Sequence, residues 1–162
     1  MHQGLEDTLR LFGHKLKQGI QVQRHYDKQL PKVIAYGSEL NQVWTNLIDN
    51  AIDAMNGTGV LEITTQLKDR SIRIDINDSG KGIPPEIQSR IFEPFFTTKP
   101  VGKGSGLGLE AVRRIVEYRH QGTILFESQP GKTCFSICLP LVGSLSNTAS
   151  SKTSPALAPE PF

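Results

Sequence analysis

The sequence predicts a mixed α/β domain, on three observations. Residues 38–56 and 109–120 repeat apolar side chains three and four apart, as amphipathic helices do. Leu61, Ile63, Thr65 and Leu67, and then Ile72, Ile74 and Ile76, alternate with polar residues, as half-buried strands do. Glycine-bearing turns punctuate these segments at 80–82, 102–108 and 131.

A length of 162 residues with 37% hydrophobic residues supports one domain with its own core and some trailing chain. Eighteen Lys and Arg against 16 Asp and Glu leave a formal net charge of +2, too small a field to draw in nucleic acid or a membrane surface. No apolar run is long enough to span a bilayer, and the first residues lack the apolar core of a signal peptide. The expectation is a soluble, cytoplasmic chain without nucleic-acid or membrane contact. Cys134 and Cys138 sit in an alternating segment and read as half-buried thiols, not as a disulfide framework or a metal site.

Taken in order, Leu5, Leu9, Phe12 and Leu16 lie at helical spacing. They read either as the exit of a longer helix that needs a partner or as a short helix folded onto its own domain. Ile20 to Tyr26 and Val33 to Tyr36 read as short strands around Leu30-Pro31. Ser38 is a candidate cap for a helix that Asn56-Gly57 ends. On that helix Val43, Leu47, Ala51 and Ala54 form a core stripe, while Asn46, Asn50 and Asp53 recur at the same steps on another face. Asparagine gains nothing in a helix interior, so two in register ask for a reason, either a group on which they converge or simply the solvated face of an amphipathic helix.

The alternation of the isoleucines continues to Asp78, which therefore points inward, where a carboxylate needs either a ligand's donor or a backbone N–H of the following turn. Pro84-Pro85-Glu86 starts a short helix reaching Ile91. From Phe92 to Ser105 aromatics, threonines, Lys99, Lys103 and glycines lack periodicity and suit a loop that closes over a ligand. Leu109, Val112, Ile115 and Val116 mark a further helix. Thr123 to Glu127 and Thr133 to Leu139 are strands joined by the turn Gln129-Pro130-Gly131-Lys132. From Val142 to Phe162 the Ser, Thr, Ala and Pro composition predicts a disordered tail.

Two phosphate-binding loops fail on these residues. A P-loop ending at Lys132-Thr133 needs glycine where Phe126 stands, and a dinucleotide fingerprint starting at Gly102 needs glycine where Leu107 stands. The later signatures of eukaryotic protein kinases are missing as well.

Four segments in order, Asn46-Leu47-Ile48-Asp49-Asn50-Ala51, Asp78-Ser79-Gly80-Lys81-Gly82, Phe92-Glu93-Pro94-Phe95-Phe96 and Gly104-Ser105-Gly106-Leu107-Gly108-Leu109, resemble the N box, first glycine box, F box and second glycine box of the sensor histidine kinases. Their ATP-binding catalytic domain belongs to a superfamily shared with gyrase, the Hsp90 chaperones and the MutL repair proteins. The resemblance runs from about Ile20 to Leu141. It implies a two-layer α/β sandwich in which a mixed, mainly antiparallel sheet is covered by three helices.

The resemblance also implies ATP and Mg2+ as ligands. Asn50 would hold the magnesium that bridges the phosphates, and Asn46 would lie beside them. Asp78 would accept from the adenine amine, with Gly80 and Gly82 leaving room for the ring and Thr133 adding a water-mediated contact. Gly104, Gly106, Leu107 and Gly108 would bring backbone amides to the phosphates, and Lys99 and Lys103 would add charge. In the hydrolysing branches of the superfamily a glutamate usually stands where this chain has Asn46.

The family normally carries its phosphoacceptor histidine on a helical dimerisation domain just upstream. Here His14 has neither the acidic neighbour nor the following proline usual around the acceptor, and His2, His25 and His120 are no better placed. The expectation is three parts. Residues 1–18 end an upstream helix or linker, 19–141 form the kinase-like catalytic domain, and 142–162 form the tail. The domain would donate the γ-phosphate of ATP to a histidine domain in cis or in trans, and from there to a response regulator. An ATP-hydrolysing switch, a serine kinase of the anti-sigma-factor kind and a nucleotide-sensing module stay open as alternatives.

Overall fold

The computed structural model describes residues 1–33 and 35–141. Five strands form one sheet in the order β1-β2-β3-β5-β4, with β1 (Ile20–Tyr26), β2 (Gly59–Lys68), β3 (Ser71–Asp78), β4 (Thr123–Gln129) and β5 (Lys132–Pro140). Only β1 pairs in parallel, with β2, and the other three pairings are antiparallel. The mixed, mainly antiparallel sheet is the expected one. Short polar turns make the hairpins β2–β3 and β4–β5. The parallel pair needs a crossover, which α3 (Gly37–Met55) supplies.

Register turns alternation into a continuous inner face. Leu61 stands opposite Asp78 and Asp78 opposite Thr133, while the next rows are Ile63, Ile76, Phe135 and Thr65, Ile74, Ile137. All of these are buried. Above them lies α3, which buries Leu40, Val43, Trp44, Leu47, Ile48, Ala51, Ile52 and Met55. Their wide apolar stripe leaves Asn46, Asp49, Asn50 and Asp53 on the helix flank. The helix α1 (His2–Leu11) adds Leu5 and Leu9 to the same core, and α2 (Gly13–Leu16) adds Leu16.

Several local expectations are corrected. Val33, Ala35 and Tyr36 lie in an irregular connection, because β1 already holds the free side of β2 and the chain must leave the sheet to enter α3. Ser38 does not cap α3. The cap position belongs to Tyr36, whose N–H donates to Nε2 of His120 at 3.2 Å. The other end matches, with Asn56 left-handed at φ 50°. The helix α4 (Pro85–Gln88) starts at a proline as expected but gives way to turns before Ile91. The last helix, α5 (Gly108–Arg113), continues as a π-helical segment, Arg114–Arg119, which periodicity alone does not reveal. That segment buries Ile115 and Val116, and the Nδ1 atom of His120 lies 2.9 Å from the carbonyl of Ile115.

Cys134 and Cys138 are free thiols of intermediate burial, as the alternation predicts. Among the described histidines, His120 bonds Tyr36, His2 stacks on Tyr26 at 4.6 Å and bonds Thr65, and His25 lies 3.9 Å from Glu62. His14 and His25 are exposed. Among the described residues no helix is long and apolar enough to cross a membrane. The tail expected from Val142 lies outside the described residues.

Candidate nucleotide site

The polar flank of α3 is the centre on which the glycine-bearing turns converge. Asn46 and Asn50 stand one turn apart there, both half-buried. The turn after β3 docks on the last turn of the helix, where Lys81 N–H donates to the carbonyl of Ala54 at 3.1 Å. A Cβ at Gly80 would stand 2.7 Å from the backbone of Ala54, so only glycine admits this approach. At the start of α5, Gly108 comes so near to Asn46 that a Cβ there would lie 3.3 Å from its Oδ1. The N-box helix and the second glycine loop therefore border one space.

Asp78 closes that space at the sheet. Only 6% of its surface is exposed, and one carboxylate oxygen accepts Gly80 N–H at 2.8 Å. Burial pushes its pKa up to about 6, with the Gly80 N–H offsetting part of the rise. The turn that follows an Asx residue thus supplies one of the two partners that the sequence leaves open for this carboxylate. Its other oxygen is available to a ligand.

Across the strands, Thr133 is opposite Asp78 and Ser128 is opposite Thr133. The hydroxyls of Ser128 and Thr133 are 2.8 Å apart, and Ser128 Oγ accepts Ile83 N–H at 2.8 Å. Gly82, at φ 79°, packs on the carbonyl of Gln129.

The loop from Phe92 to Leu107 folds back along α3. Gly106 has φ 69° and abuts the backbone of Phe95, and Gly104 packs on Thr97 and Lys99. Lys99 reaches across to α3, with its Nζ atom 2.5 Å from Asp53 and 3.8 Å from Asp49. On the opposite side Lys15 of α2 binds Asp49 at 2.9 Å, a hydrogen bond that raises the lysine's pKa. Lys103 stands exposed in a turn whose amide bonds Pro100, and Leu107 is partly exposed at the entrance to α5.

The site therefore gathers Asn46, Asn50, Gly80, Lys99, Gly104 and Gly108 around α3, with Asp78, Gly82 and Thr133 at its sheet side; Gly106 shapes the loop and Lys103 stays at its rim. Sequence reasoning missed Asp49 and Ser128. Asp49 was legible as the residue three after Asn46 and four before Asp53. Ser128 was legible only as the inward residue before a hairpin turn, a weak signal.

Comparison with known proteins identifies the family. Residues 36–143 match the family described as histidine kinase-, DNA gyrase B-, and HSP90-like ATPase. Sensor histidine kinase ZraS of Escherichia coli is 42% identical over 123 residues, which cover 75% of this chain and 26% of that protein. Sporulation kinase A of Bacillus subtilis is 39% identical over 123 residues, covering 75% and 20%. The chain thus spans about a quarter or less of the length of these relatives. The solved catalytic domain of histidine kinase ThkA superposes with a TM-score of 0.77 at 33% identity, over 86% of this chain and 93% of that one. ThkA has also been solved in complex with the response regulator protein TrrA, and this chain matches 42% of that structure with a TM-score of 0.74 at 28% identity. Fold and likeness agree: the chain belongs to the histidine kinase-, gyrase B- and HSP90-like ATPases, as a catalytic domain of the sensor histidine kinase kind.

Proposed function

We propose that this domain binds Mg-ATP against α3 and presents the γ-phosphate to a histidine on a separate helical domain, in the same chain or in another. The observation that carries this reading is the approach of Gly108 to Asn46, which sets a loop rich in backbone N–H groups beside a helix flank of amide and carboxylate oxygens. Adenine would lie towards Asp78 and Thr133, with its amine donating to the buried carboxylate. Lys99 would turn from Asp53 to the phosphates.

The amide oxygen of Asn50, half-buried on the flank of α3, is the kind of ligand that a hard divalent cation takes. Asn50 would hold magnesium, which when bound neutralises phosphate charge and orients the triphosphate. Phosphoryl transfer needs mainly positioning and charge neutralisation, so the nucleophile can come from outside. The response regulator bound to ThkA supports a regulator as the next partner in the relay. ATP supply fits a cytoplasmic setting.

Asn46 supports transfer over hydrolysis, because an amide cannot take the proton of an attacking water. General-base help is worth roughly a hundredfold to ten-thousandfold in rate. Asp49, three residues further along α3, is engaged by Lys15 of α2. The test is incubation of the purified chain with γ-labelled ATP, alone and with a histidine-bearing helical domain. Binding with little release of phosphate, no self-labelling and transfer only to the added domain are the expected results. Brisk phosphate release that Asp78→Asn abolishes would overturn the kinase reading in favour of an ATP-hydrolysing switch.

A further inference from the structure

The inner row that ends at Asp78 continues one strand further than the ligand-facing residues. Leu61, Asp78, Thr133 and Ser128 lie in register across β2, β3, β5 and β4. Ser128 touches no expected ligand position, yet its hydroxyl joins two parts of the adenine side of the site. It accepts the N–H of Ile83, at the end of the glycine turn, and it bonds Thr133 Oγ1, each at 2.8 Å. The same junction is tied twice more, by the side chain of Gln88, which donates to the carbonyls of Ile83 and Ser128, and by Gly131 N–H, which donates to Gly80. Gly80 in turn donates to Asp78. A chain of bonds therefore runs from Ser128 through the turn to the carboxylate.

We infer that Ser128 is the positioning residue for base selection: it holds the Asp78 carboxylate and the Thr133 hydroxyl in the geometry that distinguishes a purine bearing a 6-amino group. The inference rests on the nucleotide reading given above. With its Oγ accepting Ile83 N–H, Ser128 has one proton left, and donating it to Thr133 leaves the Thr133 hydroxyl proton for the ligand. Without Ser128 the Ile83 N–H loses its acceptor and Thr133 loses its fixed rotor. The turn that seats Gly80 then loosens, and with it the carboxylate that Gly80 orients. The penalty falls on recognition of the amine more than on the phosphates, which would lie further back along α3 beside Asn46 and Gly108.

Calorimetry with ATP and with purine riboside triphosphate, which lacks the 6-amino group, tests this on the full chain. Ser128→Ala is expected to weaken ATP by about tenfold, the effect of one unsatisfied, partly buried donor, and to narrow the preference for ATP over the analogue. Ser128→Thr keeps the hydroxyl and is expected to restore both. Equal weakening of the two nucleotides by Ser128→Ala, or wild-type preference in that variant, would overturn the positioning role while the ATP site stands. Should Ser128→Ala fold poorly, Ser128→Thr decides: loss of preference despite a retained hydroxyl and a folded chain overturns the proposal. Asp78→Asn separates the two levels, for if it leaves ATP affinity unchanged the nucleotide reading and the role of Ser128 both fall.

Discussion

Lys99 Nζ lies 2.5 Å from Asp53 Oδ2, so a residue of the loop over the site is bound to the helix that would carry magnesium. Both side chains are partly exposed, and such pairs contribute about 0–1 kcal/mol to stability. Asp53→Asn should therefore leave the melting temperature nearly unchanged. It frees Lys99 and removes a negative charge near the phosphates, so ATP affinity should rise several-fold, and most at low salt. Titration of nucleotide at two ionic strengths would check it. A fall in affinity would instead assign Asp53 to the metal.

Asp78 couples the fold to pH. Its folded pKa, about 6, lies above the ordinary value of 3.8, so the native state holds the proton more tightly than the unfolded chain. Stability should fall as pH rises from about 4 to about 6 and stay lowered above that, by about 3 kcal/mol at most. Asp78→Asn removes this dependence. Its melting temperature at pH 7 should equal or exceed that of the wild type, while ATP affinity drops by more than tenfold through loss of the acceptor. Thermal melts from pH 4 to 8, with and without ATP, would decide. A variant that loses stability at pH 7 would show that the carboxylate mainly secures its own turn.

Asn50 separates metal from base. Asn50→Ala should remove most of the magnesium-dependent part of ATP affinity and leave metal-free adenine binding near the wild-type level. Equal losses with and without magnesium would contradict the assignment.

Gly80 tests how closely the turn docks on α3. A methyl group there would meet Ala54 backbone at 2.7 Å, and neither partner is a flexible side chain. Gly80→Ala should destabilise the fold by about 1–3 kcal/mol, as overpacking does. Chemical denaturation would show this as a lower midpoint with an unchanged slope. An unchanged midpoint would mean that the turn shifts freely.

What the sequence made legible follows from periodicity. The isoleucines of β3 and the inward Asp78 could be read because every second residue faces one way. The flank of α3 could be read because polar residues recurred at helical steps. The connection at Val33 to Tyr36 could not, since its apolar residues look like a strand and only the occupied edge of β2 forbids one. The π-helical turn after Arg113 was hidden for a similar reason, as one wider turn barely disturbs an apolar pattern. Lys99 was expected at phosphates and stands on Asp53 and Asp49, partners set by the fold and invisible in the local sequence. Ser128 needed the register of three strands.

The parallel placement of β1 bears on how the chain reaches this structure. The two hairpins close over a few residues, whereas β1 meets β2 only after α3 has formed the crossover between Tyr26 and Gly59. Loop closure over that separation costs entropy that the local turns do not incur, and non-local pairing slows folding. The antiparallel ladders β2–β3 and β4–β5 should gain protection early in a pulsed hydrogen-exchange experiment, and the non-local ladders β1–β2 and β3–β5 later. On that order the two hairpins and α3, which carry Asp78, Thr133, Asn46 and Asn50, form as separate pieces, and the nucleotide site is completed only when β3 pairs with β5 and brings Asp78 opposite Thr133.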